Sequence, residues 1–279
     1  KAKQEALKNE LFPEALQALE LERKIIRFKD TEVYEQLIAD NLAEEKSVIE
    51  KHNNLTEYVH LQSKMFKMYR TNIIVRNEHT INFFKEMLQH HLLQNESSAL
   101  SFRAKYFFYS RKVICYRHLS DPTYGESGME KAYQYAQKLL SIFESEPMAN
   151  YRIIMYMNTL HQMAIIQSFF GKLTDSMQSI RKIRDIGKSY PQFFRSIPPE
   201  LPFRFSVMIE TDLYLRIPDY ETGVAQIPYI ESDLKKFGNV LPKHTQYGLY
   251  YNIALLYFGI RDYHKALNWL NKILNENKD

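Results

Sequence analysis

The sequence predicts an all-α protein, built from antiparallel helix pairs that stack into an array. The 279 residues include only 8 Gly and 10 Pro, fewer turn residues than a sheet protein of this length usually needs. Apolar residues recur at helical spacing along most of the chain. Related phrases return every 43 to 47 residues in the second half of the sequence, and such a fixed period is typical of repeat architectures.

The clearest helix pair lies near the C-terminus. Tyr250, Ile253, Ala254 and Tyr257 occupy positions i, i+3, i+4 and i+7, which form one face of a helix. A short break from Gly259 to Asp262 then predicts that the next helix runs antiparallel to the first. The second helix repeats the helical spacing with Tyr263, Ala266, Leu267, Leu270, Ile273 and Leu274.

This pair resembles the tetratricopeptide signature. In that signature the first helix carries a large residue, then Leu followed by Gly or Ala, then Tyr, and the second helix carries an aromatic residue followed by Ala. The matching residues here are Tyr250, Ile253, Ala254, Tyr257, Tyr263, Ala266 and Leu270, while Ile273 replaces the usual second Ala. The resemblance implies a right-handed superhelical array, or solenoid, of antiparallel helix pairs whose concave side binds other proteins.

Small residues mark the place where two backbones approach in four successive pairs, at Ala132, Ser176, Gly223 and Ala266. They are separated by 44, 47 and 43 residues, against about 34 in an ordinary tetratricopeptide repeat, so the helices or linkers are longer here. The resemblance is closest to large, divergent bacterial proteins of this type, many without assigned function. The expected repeat-packing residues are Ala132, Ala164, Ser176, Gly223, Ala254, Tyr257, Tyr263 and Ala266.

The N-terminal third predicts longer helices. Residues from Thr31 to Thr71 are helical in pattern and contain neither Gly nor Pro, with a break at Asn53-Asn54 as the alternative to one continuous helix. Thr80 to Gln94 reads as a further helix. The whole chain is interpreted as one array cut from a longer protein, with the end of a truncated repeat in 1–30, a long helical hairpin in 31–98 and repeats in 99–279.

The function that the resemblance implies is a non-catalytic scaffold, which binds a peptide or helix of another protein. Its concave groove is expected to follow one register position on the first helix of each pair. The alternative is that these side chains pack against neighbouring helices or meet solvent. The residues at this position are Asn158, His161, Met208, Asp212, Tyr251 and Leu255.

A nucleic-acid-binding repeat is the second hypothesis, because the net charge is +4 and one segment interleaves basic with aromatic residues. An amphipathic helix produces the same mixture when its aromatic residues point inward and its cations point outward. The basic residues of this segment are Arg103, Lys105, Arg111 and Lys112.

No catalytic residue, metal site or cofactor is expected. The sequence lacks a Gly-rich phosphate loop and a nucleophile elbow, and Glu86 with His90 supplies only two potential metal ligands. The single cysteine, Cys115, lies in an apolar run that predicts burial. No run of apolar residues is long enough for a membrane span. With no disulfide pair to indicate an oxidising compartment, a cytoplasmic location is expected.

Overall fold

All regular elements are helices in the computed structural model, which describes residues 1–71, 78–120, 128–145, 148–149 and 151–276. The all-α prediction is therefore confirmed for the described part of the chain. The α-helices are α1 (Ala2–Lys8), α2 (Phe12–Ile26), α3 (Thr31–Thr71), α4 (Glu78–Gln89), α5 (Phe102–His118), α6 (Gly128–Ser145), α7 (Arg152–Phe169), α8 (Leu173–Arg184), α9 (Ile186–Ser189), α10 (Leu201–Arg216), α11 (Tyr220–Phe237), α12 (Lys243–Gly259) and α13 (Tyr263–Glu276).

Helix α3 is the longest of these and runs without a break through its 41 residues. The alternative of a break at Asn53-Asn54 is wrong, because Asn54 has a role outside its own helix. Its side-chain amide donates to the carbonyl of Ser98 at 2.9 Å and accepts from the backbone N–H of Leu100 at 3.0 Å. Asn54 thus holds the segment that leads into α5 against the side of α3. The predicted helix from Thr80 to Gln94 ends earlier, at Gln89, and a 3-10 turn follows at His91–Leu93.

The helices divide into two compact units, Lys1–Tyr151 and Arg152–Asp279. In the first unit α5 contacts α3, α4 and α6. The start of α5 is held by two side chains: Ser101 Oγ accepts the N–H of Ala104, and the Glu10 carboxylate accepts the N–H groups of Phe102 and Arg103. These acceptors satisfy N–H groups that a helix cannot pair internally, and they tie the N-terminal hairpin to α5.

In the second unit each helix pair is antiparallel in sequence order, and each pair contacts the next. The pairs are α7 with α8, α10 with α11, and α12 with α13; α10 also contacts both α7 and α8, and α12 contacts both α10 and α11. This sequence of contacts is compatible with a helical repeat. The last two pairs share one core, formed by Phe203, Val207, Ile227, Ile230, Leu241, Leu249, Ile253, Ala254, Tyr257, Ala266 and Trp269.

Candidate partner-binding surface

Small side chains bring the two helices of each pair in the second unit close together. The hydroxyl of Ser176 on α8 donates to the carbonyl of Ala164 on α7 at 2.7 Å, and both residues are buried. A Cβ built at Gly223 on α11 would lie 2.9 Å from Cβ of Tyr214 on α10. Ala254 of α12 and Ala266 of α13 both lie in the shared core.

The other three expected packing residues differ in their surroundings. Ala132 of α6 is fully buried in the first unit. Tyr257 is buried in the shared core, and burial raises the pKa of its phenol. Tyr263 is exposed instead, with its ring 5.3 Å from that of Phe258, so it contributes to the surface of the unit and not to its interior.

The expected groove position lies on α7, α10 and α12. His161 of α7 lies 47 residues before Met208 of α10, and Met208 lies 43 residues before Tyr251 of α12, the same separations as between the small residues of these pairs. These three side chains therefore occupy corresponding places on successive helix pairs. Their surroundings show which of the two interpretations, groove or helix packing, describes each.

His161 packs against the next pair. Its Nδ1 donates to the backbone carbonyl of Phe205 on α10 at 2.6 Å, and its ring lies 5.5 Å from the Phe205 ring. Because a carbonyl oxygen only accepts hydrogen bonds, the proton must be on Nδ1. Asn158, one turn earlier on α7, is partly buried.

Met208 also packs against the pair that follows it. A Cβ built at Gly248 of α12 would lie 2.9 Å from the Met208 methyl carbon, so α12 approaches α10 closely at this point. One turn further, the amide of Asn252 donates to Thr211 Oγ1 at 3.1 Å. Asp212 is partly buried and accepts from Arg216, on its own helix, at 2.6 Å.

Tyr251 is different, because no described helix follows α13 to cover it. Its side chain is 51% exposed, and Leu255 one turn later is partly exposed. These residues adjoin a stripe on α13 that is also exposed. Together they form one apolar surface, here called the α12–α13 face, of Tyr251, Leu255, Phe258, Tyr263, Leu267, Leu270 and Leu274.

The α13 part of this face was missed by the sequence-based interpretation, although the sequence contains a signal for it. Helix α13 carries two apolar stripes. The first, formed by Ala266, Trp269 and Ile273, is buried or partly buried. The second is exposed, and an apolar surface wider than one neighbouring helix can cover indicates a second contact. The residues of the second stripe are Tyr263, Leu267, Leu270 and Leu274.

The four cations of the basic segment do not share one exposed face. Lys105 is exposed and Arg103 partly so, but Arg111 and Lys112 are buried inside the first unit. The Arg111 guanidinium lies over the Phe107 ring. The expectation that an amphipathic helix would point all its cations outward is therefore wrong for Arg111 and Lys112.

The residues considered for metal or thiol chemistry have structural surroundings. His90 Nδ1 accepts the backbone N–H of Leu92 and begins the 3-10 turn, and its ring stacks on His91. Among the described residues no group of three or more His, Cys, Asp or Glu side chains could hold a metal ion. Cys115 is fully buried, and burial raises the pKa of its thiol to about 12. None of the described helices is long and apolar enough to cross a membrane.

Comparisons of the chain with protein-family models, with curated proteins and with solved structures gave no match. The functional argument therefore depends on the geometry of the chain itself.

Proposed function

We propose that this chain is a non-catalytic interaction module of the tetratricopeptide-like kind, and that it binds an amphipathic helix of a partner protein on the α12–α13 face. One observation carries the proposal. The surface that corresponds to this face on the preceding pair is occupied by a helix of the chain itself, whereas the α12–α13 face is apolar and exposed to solvent.

The sequence register makes the correspondence specific. Ile217-Pro218-Asp219-Tyr220 at the turn before α11 aligns with Ile260-Arg261-Asp262-Tyr263 before α13. With this offset of 43 residues, Val224 corresponds to Leu267 and Ile227 to Leu270. Ile227 is fully buried and Val224 partly buried in the core that includes α12. The corresponding leucines on α13 are exposed.

The helix that occupies the earlier surface indicates the chemistry of the partner. Helix α12 faces α10 and α11 with Gly248, Asn252 and Leu256, which are spaced four residues apart and so lie on one helix face. Gly248 meets Met208, Asn252 bonds Thr211, and Leu256 lies against Gly223. A partner helix with small and apolar residues at i, i+4 and i+8 fits the α12–α13 face in the same manner.

Affinity capture from cells that make this protein tests the proposal, when surface variants are compared. The double variant Leu267→Arg, Leu274→Arg places two charges on the face at positions that are 57% and 62% exposed. The matched control is Tyr229→Arg, which adds the same side chain at an exposed site on α11, outside the face. The expected result is a protein retained by the wild type and by Tyr229→Arg, and lost with the double variant.

The captured protein must then bind directly, through a helix. Titration of the purified protein with a peptide of that helix is expected to change the fluorescence of Trp269, which lies on α13 and is the single tryptophan of the chain. A captured protein that binds the double variant as well as it binds the wild type would rule out the α12–α13 face. Assembly of the chain with copies of itself would replace the partner helix with self-association.

A further inference from the structure

The first unit contains a cavity of about 590 Å³ between α4, α5 and the start of α6. Its lining includes three lysines, Lys85, Lys112 and Lys131, and one carboxylate, Glu86. Tyr116 adds an aromatic face, which stacks on Tyr135 with 5.6 Å between the ring centres. The volume falls within the range of small-molecule sites, about 300–1,000 Å³.

Lys112 is the most informative residue of this cavity, because its side chain is only 9% exposed and yet lines the opening. Its ammonium lies 4.8 Å from the ring centres of both Phe108 and Tyr135, and 3.4 Å from Tyr135 Oη. An ammonium has three donors. The described residues give Lys112 this one long hydrogen bond and no carboxylate.

Other partly buried cations of the chain are neutralised in a different way. Lys3 contacts Glu22 and Glu44, each at 2.7 Å. Arg184 contacts Glu210 at 2.7 Å and Asp233 at 3.2 Å. A buried charge without a counter-charge is costly, so the absence of a described carboxylate at Lys112, beside an open cavity lined by two further lysines, calls for an anion from outside the chain.

We infer that this cavity binds a phosphate-bearing small molecule, with Lys112 as the buried contact for the phosphate and Lys85 as a contact at the rim. Three lysines against one carboxylate suit a ligand of about two negative charges, which a phosphate monoester carries near neutral pH. Lysine recognises phosphate as a point charge with rotatable donors. The aromatic rings leave room beside the phosphate for an organic group. This inference is independent of the proposed α12–α13 interaction.

Isothermal titration at low ionic strength tests the inference with three probes: inorganic phosphate, ribose 5-phosphate, and ribose as the uncharged comparison. Saturable binding is expected for at least one of the two phosphates and absent for ribose. Tighter binding of ribose 5-phosphate than of inorganic phosphate would assign the organic group to the cavity. Tighter binding of inorganic phosphate would assign the cavity to the free anion.

Lys112→Met keeps the length of the side chain and removes its charge, and is expected to weaken phosphate binding at least about tenfold. The matched control, Lys105→Gln, removes an exposed cation from the same helix outside the lining, and is expected to leave the affinity unchanged. Lys85→Gln at the exposed rim is expected to weaken binding about threefold and avoids any loss of folding that a buried substitution causes. Absence of saturable phosphate binding, or equal affinity in the wild type and in both lining variants, would overturn the inference.

Discussion

Two corresponding surfaces in the second unit differ in what covers them. On the α10–α11 pair, Met208, Thr211 and Ile227 are covered or bonded by the chain's own α12. On the α12–α13 pair, the corresponding register positions include Tyr251 and Leu270, and both are exposed. The comparison teaches that one register position serves packing in one pair and is open to a partner in the next. The residue type alone does not distinguish the two cases.

The largest effect should come from cutting back the same stripe on the two pairs. Ile227→Ala leaves a cavity in a fully packed core, so we expect the free energy of unfolding to fall by about 2–5 kcal/mol. Leu270→Ala, at the corresponding position with 36% exposure, should cost about 1 kcal/mol or less. Urea unfolding followed by Trp269 fluorescence measures both values. Equal losses would show that the two positions are packed alike.

Adding one methyl group at two glycines sharpens the comparison between the contacts that α12 makes. Gly223→Ala would place Cβ 2.7 Å from Leu256 Cδ2 and 2.9 Å from Tyr214 Cβ, which cannot move without its helix. We expect a loss of about 1–3 kcal/mol from overpacking. Gly248→Ala meets only the mobile end of Met208, and the gain of up to about 1 kcal/mol in helix propensity should make it neutral or stabilising.

The same unfolding experiment measures this pair. A Gly223→Ala variant as stable as the wild type would mean that α10 and α11 are not in close contact there, and that the small-residue position is not a packing requirement of the pair.

The smallest effects are expected at the groove position. His161→Leu removes the hydrogen bond to the Phe205 carbonyl, and we expect it to cost about 0.5–1.5 kcal/mol. Tyr251→Leu, at the corresponding exposed position, should change stability by no more than about 0.5 kcal/mol. Thermal unfolding of both variants gives the comparison. A larger loss for Tyr251→Leu than for His161→Leu would place Tyr251 inside the packed unit and remove it from the surface.

Much of the fold could be predicted from sequence because local patterns report local packing. The stripe of Tyr250, Ile253, Ala254 and Tyr257 predicts one helix of a pair, and the structure has α12 there. The break in α3 was not excluded because Asn54 is neutral to unfavourable in a helix on local grounds. Its partners, Ser98 and Leu100, are more than forty residues away in the sequence and compensate for this preference.

The candidate surface was only partly predictable. Register placed His161, Met208 and Tyr251 at one position, but register does not say which of them the next helix covers. Burial of Arg111 and Lys112 was equally hidden, since a single helix pattern points cations to solvent and only the packing of other elements around α5 encloses them. Both failures concern contacts between elements that are distant in sequence.

Photo-cross-linking tests the central claim most directly. p-Benzoylphenylalanine at position 267 reports on what touches the α12–α13 face in the cell, and the same group at position 229 gives the background for an exposed site of the same unit. The account predicts a cross-link specific to position 267, to a helical segment of another protein with small or apolar residues at i, i+4 and i+8. A cross-link within the same polypeptide, or identical products from positions 267 and 229, would contradict it.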